Sequence, residues 1–586
     1  MHLYVRDTSE PLAGAVPVPS SKYHAHRALI LASLAEGETE IVGSVSARHV
    51  QWTVDVLRRL GTEIVETDDG LRVRGGRYRP IADEVSVGSS GTTLYFMLGL
   101  ASLADAPVTI KGQKYFQRRP VGPLLGALEA LGLEISSSGA TPPFVVSPRP
   151  PRGGRVSIDG RLSQWISALL LLAPFAARTT VVDVEGDANE LTYVELTVRM
   201  MRQFGLEVDV AADWRHFEIP PNQEARPSAI ELPPDLGSAA FGLAACALHS
   251  SDVRFAGLRA IQAEDIDHPE ADLVDVVAEM GLPLALDESG HAHVRHDGAP
   301  LRGIDIDCRS MPDMLPALTA IAQFAEGETR FHNVEHVRLK ESDRVVSMLQ
   351  LNRIGGAVEV RDDKLVVSGV EGPLRGAPLS SFNDHRVQMA LAVAATRAIG
   401  PSSLTYPRAH RISYPGFLED MRGIGLKMAV GDSAEVLEAP QAARASAPAP
   451  ETVESIAIEQ SVEVPLADWV ARWAHERPDQ PAVVEVRREG TRTWSWSELE
   501  LRSDALAMKL LELGVEPGEV VAYQLPNWAE FTSLTLAIAK VGAVGCALMP
   551  IFREREVAHA LRRSGARVLA VADRFRGRDH LAETVA

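Results

Sequence analysis

The chain has 586 residues, room for three or four domains, and a formal net charge of −19 that argues against a general nucleic-acid binder while allowing a local basic cleft. Its cysteines, Cys246, Cys308 and Cys546, lie far apart, which excludes a disulfide framework and a cysteine zinc site and fits a reducing compartment. The start MHLYVRDTSE is charged where a secretory leader needs an apolar core, and no uncharged apolar run is long enough to span a bilayer, so a cytoplasmic protein with no membrane partner is expected.

In chain order, Ser20, Ser21 and Lys22 stand just before an apolar-periodic helix that begins near His24. A hydroxyl-rich helix start with a lysine suits an anion. His24 and His26 lack a third partner and do not suggest a metal site. Gly88-Ser-Ser-Gly91-Thr-Thr93 forms a small turn ahead of the next helix, either an amide cradle for an acidic group or a plain helix cap. Arg118 and Arg119 precede Pro120, which fits the first position of a helix. Ser163 and Gln164 open another helix, as substrate-binding or capping groups, and Glu190 and Tyr193 hold the matching place one unit later.

The stretch Met311–Arg344 begins with Asp313 entering an apolar run and ends with Arg338, Lys340, Glu341, Asp343 and Arg344. Carboxylates and cations at the two ends of one helix–strand–helix passage suggest a pocket that holds an anion and moves a proton beside it; a solvated charged loop is the plainer alternative. Asn383, Asp384, His385 and Arg386 begin a further Ala-rich helix, where Asp384 can cap and Arg386 can reach an anion.

One pattern recurs through the first 430 residues. An Ala/Leu-rich helix leads through a small turn to a short strand, as in LASLAEGETEI from Leu31 and IAQFAEGETRF from Ile321. An amphipathic helix, a glycine and a strand follow, with the glycines at 61, 132, 205, 281, 355 and 425 spaced by about seventy residues. Each glycine fits a helix C-cap of positive φ, and helices with so little polar surface should be buried. The pattern predicts six helix-rich α/β units with helices inside and sheets outside. From Gly431 the composition turns to Ala, Pro, Ser and Glu without periodicity, so residues 431–462 read as a partly disordered linker, and a new α/β pattern without the seventy-residue rhythm occupies 463–586.

The motifs PSSKYHAHRALILASLAEG, GSSGTT, RRPVGPLLGAL, MPDMLPALTAIAQFAEG, RLKESDR and NDHRVQMA resemble those of the enolpyruvyl transferase family. The resemblance implies a two-domain inside-out α/β barrel of six units, with a discontinuous domain of residues 1–19 and 234–430 and a second of residues 20–233 that cross over near Ser20 and Pro234. It implies transfer of the enolpyruvyl group of phosphoenolpyruvate to a hydroxyl of a shikimate-like acceptor. Asp313, Glu341 and Lys22 would be catalytic. Lys22, Gly91, Arg344 and Arg386 would bind phosphoenolpyruvate. Arg27, Ser163, Gln164, Tyr193, Asp313 and Lys340 would bind the acceptor. No cofactor, metal or nucleic acid is implied, and the transferase part is expected to be a monomer.

Departures accompany the match. Tyr23 replaces the serine after the lysine, Leu162 replaces a serine before Ser163, and the polar position around Glu190 is altered. Tyr95, Tyr115 and Ile412 stand where the family has cations, although Arg411 is adjacent to the last. A modified acceptor, unphosphorylated and belonging to secondary metabolism, is therefore expected. A dehydratase or lyase on the same scaffold, and a noncatalytic substrate-delivery module, are the alternatives. Residues 463–586 resemble the start of the acyl-CoA synthetase and AMP-dependent ligase superfamily. The ATP loop and later adenylate motifs do not occur before Ala586, so a partial domain that does not itself adenylate is expected.

Overall fold

The computed structural model describes residues 1–113, 116, 119–137, 139–372, 374–438, 466–487, 490–550, 552–575 and 578–585. Two compact units divide the chain, residues 1–440 and 441–586.

In the first unit, the Ala/Leu-rich segments form helices Lys22–Leu34, Gly91–Leu100, Ser163–Leu172, Leu236–Leu248, Leu315–Ala322 and His385–Ala395. Every residue of the last three is buried. Small side chains let these helices pack closely, and each fully buried Leu or Ile contributes about 1.5–3 kcal/mol. The six glycines that follow the more amphipathic segments all have positive φ, from 76° to 112°. Gly61 shows why no other residue serves there: with φ +90°, an added Cβ would lie 2.4 Å from the Arg79 carbonyl oxygen.

Among the described residues, this unit carries six four-stranded sheets. All share one scheme, a parallel pair extended by two antiparallel pairings. Glu84–Ser86 runs parallel to Val108–Lys111, which pairs antiparallel with Phe144–Val146, and that with Ile135–Ser137. Asp305–Asp307, Glu328–His332, Lys364–Ser368 and Val358–Arg361 repeat it. The fold is thus α/β with mixed sheets.

The apolar interior forms two separate clusters. One gathers residues between Leu3 and Val16 with residues between Leu236 and Met428; the other gathers residues between Tyr23 and Leu232. The chain passes between them at two adjacent points. Ser20 and Pro234 form an isolated bridge, Ser21 donates its amide to the Pro233 carbonyl at 2.7 Å, and Asp235 donates to that of Pro19 at 2.8 Å.

Regular structure continues past residue 430, where composition alone suggests a linker. Strand Lys427–Gly431 pairs with His2–Arg6, and a helical turn Ala434–Leu437 follows with Leu437 buried. The Met1 ammonium lies 3.1 Å from Asp432, and Arg6 pairs with Glu438. Buried Leu437, the Tyr4 hydroxyl donating to the Asp432 carbonyl at 3.0 Å and these charge pairs tie the stretch to the first strand. Residues 439–462 lie outside the described residues.

The second unit has helix Leu466–Glu476 and a hairpin of Pro481–Arg487 with Gly490–Ser495. A capping box between Ser495 and Glu498 starts helix Trp496–Glu512. A parallel sheet follows, with Val520–Gln524 between Val544–Ala547 and Val568–Val571. No described helix is long and apolar enough to cross a membrane.

Candidate active site

The buried helices of the first unit start at one place. Lys22, Gly91 and Ser163 are first residues of their helices; Asp313 lies just before helix Leu315–Ala322, and Asp384 caps the helix that carries Arg386. Partial positive charge at helix starts favours anionic ligands there. Lys340 and Glu341 arrive on the turn between the 3₁₀ helix Glu335–Leu339 and helix Arg344–Ser347. One cavity is lined by Lys22, Arg27, Gly91, Ser163, Gln164, Tyr193, Asp313, Lys340 and Glu341, together with Tyr23, His49, Thr92, Phe96, Arg119 and Glu190. Its open volume is ≈ 50 Å³, small beside two organic acids.

Arg344 organises the carboxylates. Its Nε donates to Asp384 at 2.9 Å, and its two terminal nitrogens donate to Asp313 and Glu341, each at 2.7 Å. Arg386 faces Asp313 at 3.1 Å, and Lys22 Nζ lies 3.9 Å away. Arg119 donates to Glu341 at 3.1 Å. Burial pushes the Asp313 carboxyl up, but Arg386, Arg344 and Lys22 outweigh it and hold it well below the usual range. Burial likewise works against Glu341, and Arg119 and Arg344 win there. Burial and then Arg386 lower Lys22. Glu270 accepts the Asp313 amide at 2.8 Å; burial and repulsion from Asp313 push its carboxyl up to about 8.

On the other wall, Arg27 donates to the Thr197 hydroxyl at 2.7 Å and to the carbonyls of Tyr23 and Tyr193 at 3.0 and 3.1 Å. All these acceptors are neutral, so Arg27 is a buried cation with no carboxylate within ion-pair distance among the described residues, and burial lowers it to about 10. The Tyr193 hydroxyl is buried without a hydrogen-bond partner among those residues. Gln164 donates to the Thr92 hydroxyl at 2.8 Å. Ser163 donates its hydroxyl to Glu190 at 2.6 Å, and Lys340 ion-pairs with the other oxygen of that carboxylate.

The sequence-derived residues thus meet around one cavity, with Arg344 and Arg386 one layer behind, gripping Asp313. Ser90 acts as a cap, accepting the Thr93 amide, whereas Ser163 and Gln164 use their side chains across the cavity. Tyr23, which stands in place of a serine, joins the network: its hydroxyl donates to Asp313 and accepts from Arg386 at 2.6 Å. Tyr95 donates to the Pro120 carbonyl at 3.1 Å. Tyr115 and Arg118 lie outside the described residues. Arg411 is exposed, and neither it nor Ile412 lines the cavity. Arg119 and His49 are not among the residues expected at the site, and Glu190 reads only as matching Ser163 and Gln164 in the next unit. Arg119 had a signal, a cation directly before Pro120; Glu190 had only its position three residues before Tyr193.

The family model for EPSP synthase (3-phosphoshikimate 1-carboxyvinyltransferase) matches residues 6–421, and that for AMP-binding enzymes matches 470–585. The 3-phosphoshikimate 1-carboxyvinyltransferase of Methanocella arvoryzae is 33% identical over 434 residues, covering 73% of this chain and all of that protein. The enzyme of the same name from Methanopyrus kandleri is 36% identical over 426 residues, 70% of this chain and 96% of that protein. A solved EPSP synthase from Acinetobacter baumannii aligns with TM-score 0.62 and 23% identity over 74% of this chain and 100% of its own, a likeness of fold.

Proposed function

The chain belongs to the EPSP synthase family, and from that premise we propose that it transfers the enolpyruvyl group of phosphoenolpyruvate to a ring hydroxyl of a shikimate-like acid, releasing inorganic phosphate. One observation carries the reading: Asp313 and Glu341, two carboxylates at one cavity, are held by the same arginine, with Lys22 beside the first.

The acceptor hydroxyl gives up its proton as its oxygen bonds to C2 of phosphoenolpyruvate, and C3 takes a proton. C3 then loses a proton as the C2–O bond to phosphate breaks, leaving an enol ether and phosphate. Two carboxylates divide these transfers. Without ligands, both are clamped in the ionised state by Arg344, with Arg386 on Asp313 and Arg119 on Glu341. Phosphoenolpyruvate, carrying carboxylate and phosphate, draws on the same arginines and the helix start at Gly91. Their weakened grip lets Asp313 and Glu341 accept protons. Lys22, lowered by burial, relays a proton between the two substrates. Arg27 supplies the buried positive charge that a ring carboxylate balances, and Tyr193 and Gln164 take its hydroxyls.

The same reading makes residues 1–19 with 234–430 one domain and 20–233 the other, each an inside-out α/β barrel of three units, hinged where Ser20 meets Pro234. The two separate cores and the small open volume of the cavity support it. To test the transfer, the full chain is incubated with phosphoenolpyruvate and shikimate, and phosphate release and product mass are followed. An enol ether formed with stoichiometric phosphate is expected; phosphoenolpyruvate left intact with every ring acceptor offered overturns the reading.

A further inference from the structure

We propose that Glu190 is a built-in anion that occupies the acceptor-phosphate position, so that the natural acceptor is an unphosphorylated ring acid. The inference rests on the enolpyruvyl-transfer reading and assigns its acceptor class. Lys340 and Ser163, both expected to contact the acceptor, are already engaged by this carboxylate. Lys340 ion-pairs with one oxygen; the Ser163 hydroxyl and amide approach the other at 2.6 and 3.3 Å. A cation, a hydroxyl and the amide at a helix start are what an oxyanion of a substrate would ask of a protein.

Glu190 is held firmly in this place. It is 1% exposed and has the left-handed backbone φ 59°, ψ 32°, unusual for a residue with a Cβ. Its amide donates to the Arg309 carbonyl at 2.9 Å. Burial pushes its carboxyl up, but Lys340 and His336 outweigh that and keep it ionised. Lys340 and Arg309 come from one side of the Ser20–Pro234 crossover and Ser163 and Glu190 from the other. Lys340 and Ser163, two residues expected to meet the acceptor, are therefore joined by the protein's own carboxylate. A phosphate brought to this corner meets a fixed negative charge and finds its donors taken.

A mere structural ion pair would weaken the fold when removed without changing which acid is preferred, so the test reads preference. Shikimate and 3-phosphoshikimate are compared as acceptors by kcat/KM for phosphate release, and as ligands by calorimetry, with the full-length chain and its E190S and E190Q variants. The native chain is expected to favour shikimate by about 100-fold, the worth of two charge-assisted hydrogen bonds. E190S is expected to shift that ratio toward the phosphorylated acid by at least about tenfold. E190Q, which keeps the shape but not the charge, shifts it in the same direction by less. A native chain that takes 3-phosphoshikimate as readily as shikimate, or variants whose ratio does not move, overturns the proposal. If E190S does not fold, the isosteric E190Q decides. If no acid is turned over, the transfer reading fails, and the calorimetric ratios still decide the role of Glu190.

Discussion

Replacing Arg344 with methionine keeps most of the side-chain volume and removes the charge that links Asp313, Glu341 and Asp384. The guanidinium is 1% exposed and makes three charge-assisted bonds of 2.7–2.9 Å. Breaking one side of a buried ionic cluster costs about 3–5 kcal/mol. The lower end applies here, because each carboxylate keeps other donors: Arg386 and Lys22 for Asp313, Arg119 for Glu341, and the amides of Arg386 and Val387 for Asp384. The sign with pH follows from the direction of the shifts. Asp313 and Glu341 have folded values below their unfolded ones, so their contribution is complete above the ordinary carboxylate range of about 4 and is lost as pH falls through the folded values. Without Arg344 those values rise toward the unfolded ones, so the variant has less of this contribution left to lose on acidification. Urea unfolding of native and R344M protein, followed by tryptophan fluorescence at several pH values, is expected to show a gap of about 3 kcal/mol at pH 7 that narrows below about pH 4. A gap under about 1 kcal/mol, or one that widens on acidification, refutes the idea that Arg344 holds the carboxylates ionised.

Other consequences follow from the same geometry. Asp313→Asn and Glu341→Gln should each lower kcat by about 10²–10⁴ with a much smaller change in KM for phosphoenolpyruvate, as steady-state kinetics would report. Arg27→Leu should raise the acceptor KM by about tenfold or more while leaving the donor KM near its native value, because its charge has no carboxylate partner among the described residues. Both substrates together should compact the first unit about the Ser20–Pro234 crossover; an unchanged radius of gyration in solution scattering under saturating ligand would count against the hinge.

Much of the fold was legible because its determinants are local and repeated. Alanine- and leucine-rich helices with no polar face, such as Leu236–Leu248, must be covered, and glycines such as Gly61 must take positive φ. Asp313 and Glu341 were legible as carboxylates bracketing an apolar passage. What escaped depends on side chains far apart in sequence. Glu190 and Lys340 each stand out as polar residues, but their pairing across 150 positions is written in neither segment. Tyr23 reads only as a lost serine, yet its hydroxyl bridges Asp313 and Arg386. Arg119 reads as a helix-flanking charge until its guanidinium is seen between Glu341 and the backbone at Gly91, where an added Cβ would lie 1.8 Å from it. Residues 431–438 read as linker because composition does not register the contacts that Leu437, Asp432 and Glu438 make with the distant first strand.

The central claim is that the carboxylates of this cavity add a proton to C3 of phosphoenolpyruvate and then remove one. The most direct measurement is turnover of phosphoenolpyruvate and shikimate in deuterium oxide, with the product analysed by mass spectrometry and NMR. Deuterium in the vinyl group of the enol ether is the result expected. An enol ether whose vinyl group carries no deuterium, or loss of water from the acceptor without phosphoenolpyruvate, would contradict it.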